Sequence, residues 1–386
     1  MDILNEISEY FSNSPYLKSK FPTLSPLPYP VYFVTKDPKW INIINDPDFL
    51  SKPELFSLES LYAGCVRTND IWSAQVYLDL KQCGLNVHLV SEPIPNQICF
   101  IPYYYLKNRD WLYKSYVIAC YHDCPRPFLC NQRFVLNHTR LSSPGDHFIP
   151  HRPQPNLRPR NQARGATVEN LVFKGEDYNL FDPFRTAEFI ASLNEMGIKL
   201  ITNTELSGNP FENWSNYIET DVLIAVRNTT KFDTSLKPAL KLINAWMAGS
   251  PALLSPEPAY QRLRKSSLDY IEIYTPEDAI TALKYLKNNP DIYLAMVENG
   301  FHRAQEFTVE RIVESWYRLL SGPVIDGYER WMKQSAIQRK IVRPLQYFWQ
   351  IMAQKRARKI YTDGIDNGPR ILTEPDGDKQ LILPKV

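Results

Sequence analysis

Between Asp221 and Leu254 the chain runs through an apolar segment (Val-Leu-Ile-Ala-Val), a loop, a helix-forming stretch at Pro238–Met247, Gly249, and a second apolar run at Ala252–Leu254. An apolar run without polar alternation marks a strand covered on both faces. Strands of that kind separated by helices pair in a parallel sheet, so the chain is committed to an α/β architecture. The alternation extends on both sides. Asn170–Phe173 reads as a strand ending at Lys174-Gly175, Ala187–Glu195 as a helix stopped by Gly197, and Lys199–Thr202 as the next strand. Tyr270–Tyr274 is a further strand, Pro276–Asn288 a helix with Pro and acids in its first turn, and Asp291–Phe307 and Val309–Leu320 are closing helices.

The first half repeats the theme less regularly. Leu61–Val66 reads as a strand, Ile71–Gln82 as a helix stopped by Gly84, and Asn86–Val90, Ile98–Ile101, Tyr116–Tyr121 and Phe134–Leu136 as strands. Pro144, Pro150, Pro153, Pro155 and Pro159 alternate with Arg152, Arg158, Arg160 and Arg164 between the two series. Proline fixes φ and lacks a donor, so this stretch cannot be helix or central strand. The expected fold is therefore α/β, with two Rossmann-like domains facing each other across a cleft: residues 56–150, a hinge at 151–166, and residues 167–322. An irregular extension (1–55), a basic helical extension (323–361) and a loose tail (362–386) complete the expected order.

Composition removes several functions. The chain holds 31 prolines and 14 glycines, and no two glycines are closer than Gly364 and Gly368. Walker A loops and G-x-G-x-x-G fingerprints need clustered glycines so that backbone amides can reach phosphate. P-loop hydrolysis, protein-kinase chemistry and ordinary dinucleotide binding are thus disfavoured. A net charge of +2 argues against a nucleic-acid partner. The acidic start, Met1 to Glu9, lacks the basic n-region and apolar core of a signal peptide. No apolar run approaches the length that spans a bilayer. A cytoplasmic location is expected, with Cys65, Cys83, Cys99, Cys120, Cys124 and Cys130 as reduced thiols.

The chemistry concentrates at Lys237-Pro-Ala-Leu-Lys241-Leu-Ile-Asn244-Ala-Trp-Met-Ala-Gly249-Ser-Pro251. Proline suits the first helical turn, and that turn lies where open α/β sheets bind ligands. Lys237, Lys241 and the helix dipole converge there on a spot suited to a diphosphate. The alternative is a solvated helix face.

This stretch resembles the donor-binding region of GT-B fold glycosyltransferases of the retaining, nucleotide-sugar-dependent kind. Their pattern is commonly Lys-x-x-x-Lys-Leu-x-Glu-x-x-Ala-x-Gly-x-Pro-Val, which Lys237, Lys241, Leu242, Ala248, Gly249 and Pro251 match. Asn299-Gly300 and Arg303 resemble that domain's closing helices, and the likeness covers roughly residues 168–322. It implies a nucleotide-sugar donor as co-substrate, with no other cofactor, and a glycan or lipid-linked acceptor. It also implies donor contacts at Lys174, Gly175, Lys237, Asn244 and Gly249, with Lys241 at the reacting diphosphate. A plain turn after the strand explains Lys174-Gly175 equally well. Arg227, at the end of the Asp221 strand, is either at the cleft edge beside the diphosphate or an ordinary rim arginine. Asn244 stands where many of these enzymes carry a ribose-binding Glu, and an amide supplies no charge. That departure keeps a non-catalytic nucleotide-, glycan- or protein-binding module open as the alternative.

In the first domain Asp70 is either the cap of the following helix or an acceptor contact. His122 is either an acceptor contact or a satisfied loop histidine. Cys120, Cys124 and Cys130 near it have poor spacing for zinc, and no metal site is expected. Asp376-x-Asp378 falls in the terminal segment, so metal-independent chemistry is expected. Residues 330–359 carry nine Lys/Arg and no acid, interleaved with Trp331, Tyr347, Phe348, Trp349, Ile351 and Met352. Such a helix, interrupted near Pro344, suits packing across the first domain or an anionic membrane surface.

Overall fold

The computed structural model describes residues 21–46, 58–65, 67–121, 123–154, 157–202, 210–227, 229–372 and 381–385. The described residues fall into two units, those within 19–150 and 309–364 and those within 151–308 and 365–386. The α/β class is as expected, with one parallel sheet in each unit.

The first sheet is built from β1 (Val31–Val34), β2 (Val87–Val90), β3 (Ile98–Pro102), β4 (Tyr116–Tyr121), β5 (Gln132–Val135) and β6 (Asp146–Phe148), in the order β2-β1-β3-β4-β5-β6. β1 corrects the expected irregular extension, for it sits inside the sheet between β2 and β3. The surrounding prolines punctuate the element rather than break it. Pro30 precedes the strand, and Pro38 opens helix α1 (Pro38–Ile44) behind the N-cap Asp37, whose side chain accepts from Lys39 N at 2.9 Å. The strand expected at Leu61–Val66 is instead a helix, α2 (Leu58–Ala63). Short apolar runs carry no period that separates the two. The expected helix at Ile71–Gln82 is present as a π-turn (Ile71–Gln75) followed by α3 (Val76–Gln82).

The second sheet holds β7 (Asn170–Phe173), β8 (Lys199–Ile201), β9 (Val222–Ala225), β10 (Ala252–Leu254) and β11 (Ile271–Glu272), ordered β11-β10-β9-β7-β8. Counted from its own first strand, each sheet has the doubly wound order 2-1-3-4-5, and the first sheet adds β6. In that order the connection reverses between the first and third strands, which opens a crevice at their carboxyl ends. Around the second sheet lie α4 (Ala187–Glu195), α5 (Leu240–Ala248), α6 (Pro276–Asn288) and α7 (Pro290–Ala304). The Pro/Arg stretch expected as a hinge packs on this unit. Arg160 N donates to Ala248 O at 2.9 Å, and the Arg160 and Arg164 guanidinium groups meet the buried Asp221 carboxylate just before β9.

Gly249 ends α5 at φ +70°, and a Cβ placed there would come within 2.7 Å of Phe301 Cζ. Left-handed backbone and the close approach to the Phe301 ring add together. Gly249→Ala is expected to destabilise the protein by at least ~2 kcal/mol, read by urea unfolding. A loss below about 0.5 kcal/mol would contradict this account.

The expectation that Val309–Leu320 closes the second domain is overturned. Helix α8 (Val309–Leu319) carries Trp316 into the first sheet, 5.0 Å from the Phe100 ring and 5.1 Å from Phe134. It is followed by α9 (Ile325–Met332) and α10 (Arg343–Asn367). These helices are an integral part of the first unit rather than an extension. Tyr347 donates to Asn108 O at 2.8 Å, and Gln354 accepts from Phe128 N at 2.7 Å. The tail is not loose where it is described. Leu381 and Leu383 pack on the second unit's core, and the Tyr285 hydroxyl donates to Pro384 O at 2.8 Å. Asp376 and Asp378 lie outside the described residues.

Candidate phosphate-binding site

The reversal point of the second sheet lies between β7 and β9. The chain leaves β7 through Lys174-Gly175, β9 through Val226-Arg227, and β10 through Ser255-Pro256-Glu257. Helix α5, the crossover from β9 to β10, starts at the same edge. Its cap residue Ala239 offers no side-chain acceptor, and its first turn holds no acid. The amino end of the helix therefore keeps its partial positive charge.

Lys241 is in that first turn. Its ammonium stands 4.3 Å from the centroid of the Phe173 ring and has no hydrogen-bond or ion-pair partner among the described residues. A Cβ on Gly175 would lie 3.3 Å from Lys241 Nζ, so the glycine keeps the backbone close to the ammonium. Burial, and then repulsion by Arg227, hold the Lys241 pKa well below the ordinary lysine value, with Lys237 adding to the repulsion. Arg227 Nε is 3.3 Å from Glu257 Oε1, and Arg227 donates to the Tyr260 hydroxyl at 3.2 Å. Glu257 is fully buried, and burial raises its pKa against the pull of Arg227 and Lys241. Its Oε1 also accepts from Ser255 Oγ at 3.2 Å. Lys237 pairs with Asp233 at 3.2 Å. Arg227 and Lys237 are thus paired, while no carboxylate among the described residues is hydrogen-bonded to Lys241. An anion with several oxygens would relieve the desolvation and the repulsion together.

Lys241, Arg227, Lys237 and Gly175 are thus gathered as the sequence suggests, and other candidates are not. Lys174 is buried and donates to the carbonyls of Asn213 and Asn216; burial lowers its pKa to about 8. It ties down the 213–217 segment. Asn244 is turned into the core, where its Oδ1 accepts from Gln154 N at 3.0 Å and its amide bonds the Tyr217 phenol. The carbonyl expected to meet a ribose is already engaged. Gly249 lies at the carboxyl end of α5, a helix length from the pocket, and serves as its cap. Asp70 is 1% exposed and accepts from Trp40 Nε1 at 2.9 Å and from Arg67 N at 3.1 Å, closing a capping box. The helix cap is therefore Arg67, with Asp70 three residues on, and the Asp70 carboxylate is engaged by Trp40, Arg67 and Lys39. His122 lies outside the described residues.

The sequence reading missed Glu257 and Ser255. An acid two residues past a serine at the end of an apolar strand was the available signal, because strand ends in a parallel sheet share one edge. Among the described residues no three His, Cys, Asp or Glu side chains gather as a metal site would require.

The chain is similar in structure to solved glycosyltransferases. WaaG, a glycosyltransferase involved in lipopolysaccharide biosynthesis, matches at 12% identity over 64% of this chain and 95% of its own, with a TM-score of 0.41. Sucrose-phosphate synthase from Thermosynechococcus elongatus matches at 12% over 77% and 89%, with 0.42. A glycosyltransferase from Rickettsia africae ESF-5 matches at 9% over 80% and 99%, with 0.43. No protein-family model matches the sequence, and no curated protein does.

Proposed function

We propose that the chain is a glycosyltransferase that draws its sugar from a nucleotide-diphosphate donor bound at the edge of β7 and β9. The observation that supports this is the unpartnered Lys241 ammonium beside Gly175 and the uncapped start of α5. In this reading the diphosphate oxygens take hydrogen bonds from Lys241 Nζ and the α5 amides, with Arg227 at the rim and Lys237 adding charge. As the sugar–phosphate bond breaks, negative charge grows on the leaving diphosphate, and fixed cations in a desolvated pocket lower that barrier. The same cations supply the charge that a divalent metal would otherwise bring, in keeping with metal-independent chemistry. The acceptor is a glycan or a lipid-linked carrier. The six cysteines are buried and form no disulfide, which suits a cytoplasmic location.

The engagement of Asn244 with Gln154 favours one second reading, a binding module without turnover. Release of free sugar from UDP-, GDP-, ADP- and CMP-linked donors separates the two. Slow hydrolysis of one donor, lost in Arg227→Ala, is the expected result. Nucleotide binding without any hydrolysis would replace the transferase with the binding module, and absence of both would end each.

A further inference from the structure

The first unit carries a surface that a phosphate pocket does not explain. Ile337, Ile341, Leu345, Phe348, Trp349 and Met352 are all exposed, from 47% at Met352 to 70% at Trp349. Their spacing places them on one face of the continuous helix formed by the π-turn Gln338–Val342 and α10. The other face is the packed one, with Arg343, Tyr347, Gln354 and Ala357 buried. The helix is held to its unit through that covered face, where Tyr347 and Gln354 make their hydrogen bonds, and not through its exposed apolar side. Past Met352 the chain adds exposed Lys355, Arg356 and Lys359, and no acid occurs from Arg330 to Lys359.

A second exposed tryptophan lies in the same unit. Trp111 is 58% exposed and sits at φ 49°, ψ 47°, left-handed backbone that a bulky residue rarely adopts. Exposed Lys107, Arg109 and Lys114 surround it in sequence. The Trp111 ring is 6.1 Å from Tyr113, which is 5.3 Å from Tyr347 on α10. Two segments remote in sequence, joined through Tyr113 and the buried Tyr347, thus each present one exposed tryptophan in this unit.

We infer that this surface docks on an anionic lipid bilayer. Phe348, Trp349 and Trp111 enter the headgroup–acyl boundary, and Lys355, Arg356 and Lys359 rest on the headgroups. Indole rings favour that boundary because one end is apolar and the other wet. The absence of acid along the helix makes anionic lipid the complementary partner and sets like charge against like in a symmetric dimer. No helix among the described residues is long and apolar enough to cross a membrane, so the contact is interfacial. This inference stands independently of the donor site, because vesicle binding and nucleotide binding can fail separately.

The test is co-sedimentation of the full chain with phosphatidylcholine vesicles, with and without phosphatidylglycerol. Binding only to the anionic vesicles is expected, with release at about 0.5 M salt, where screening is nearly complete. The pair Phe348→Glu and Trp349→Glu should weaken it at least ~10-fold, and Trp111→Ala should weaken it separately. The replaced side chains are exposed, so the unfolding midpoint of each variant should match the parent and show that the fold is intact. No binding by the parent at low salt, or undiminished binding by all variants, would overturn the inference. So would a dimer in sedimentation velocity that the same variants dissociate while vesicles fail to bind, since the surface would then belong to a second copy.

Discussion

Lys241→Ala is expected to weaken the binding of the preferred nucleoside diphosphate by about 10- to 100-fold, the size of a lost charge-assisted hydrogen bond. Calorimetric titration of parent and variant reads this directly; equal affinities would remove Lys241 from the site. The pocket makes a second, independent signature. Burial and Arg227 disfavour the charged form of Lys241 in the free protein, so its folded pKa is depressed. A bound diphosphate reverses that preference, and binding takes up a proton where free Lys241 is deprotonated. Affinity is therefore retained below the depressed pKa and falls as pH rises through it. Titrations in buffers of different ionisation heat should show the uptake in the parent and not in Lys241→Ala. Because the charge is disfavoured in the folded state, removing it should not lower the unfolding midpoint, which distinguishes a binding group from a structural one.

The largest loss of stability is expected at the opposite end of β9. Asp221 accepts from Arg160 at 2.8 Å, Arg164 at 2.7 Å, and the Glu169 and Asn170 amides, each at 3.0 Å. Burial alone would raise its pKa, but hydrogen bonds from Arg164, the Glu169 amide and Arg160 outweigh burial and leave it lowered. Asp221→Ala leaves the buried Arg160 without its counter-charge, a loss of about 3–5 kcal/mol. Urea unfolding should register it, and a cost below about 1 kcal/mol would mean that the cluster relaxes to water. With the folded pKa depressed, the stabilisation is present above the ordinary aspartate pKa. It is lost as pH falls through the lowered one, so the parent should lose this share in acid and the variant should not. Nucleotide affinity of folded Asp221→Ala should be retained, because the length of β9 separates Asp221 from Arg227.

Much of the second sheet was legible because its central strands β9 and β10 are fully buried and two of its helices are stopped by Gly197 and Gly249. The pattern Lys237-x-x-x-Lys241 set both lysines at the start of a helix at the carboxyl edge of the sheet, where the structure has them. Glu257 was not legible, because a lone acid in a Pro-rich loop carries no periodicity. Asn244 and Lys174 failed for a different reason. Both stand at suitable positions in sequence, but rotation of α5 turns the first into the core, and the fold of the 213–217 segment captures the second. In the first unit, proline density hid β1, since φ restriction reads the same beside a strand as within a loop.

Local pattern and covalent order determined the α/β class, the strands and helices of the second unit, and the cations at the start of α5. These depend on side-chain period and on stop residues, which are properties of neighbours in sequence. Only the tertiary structure decided that Trp316 fills the first sheet rather than closing the second, that Asp221 binds the proline-rich stretch, and that Lys241 is left without a partner. It also left one apolar side of α10 uncovered. Each of these turns on which of two similar apolar or charged surfaces a segment meets, and that choice is made by long-range packing.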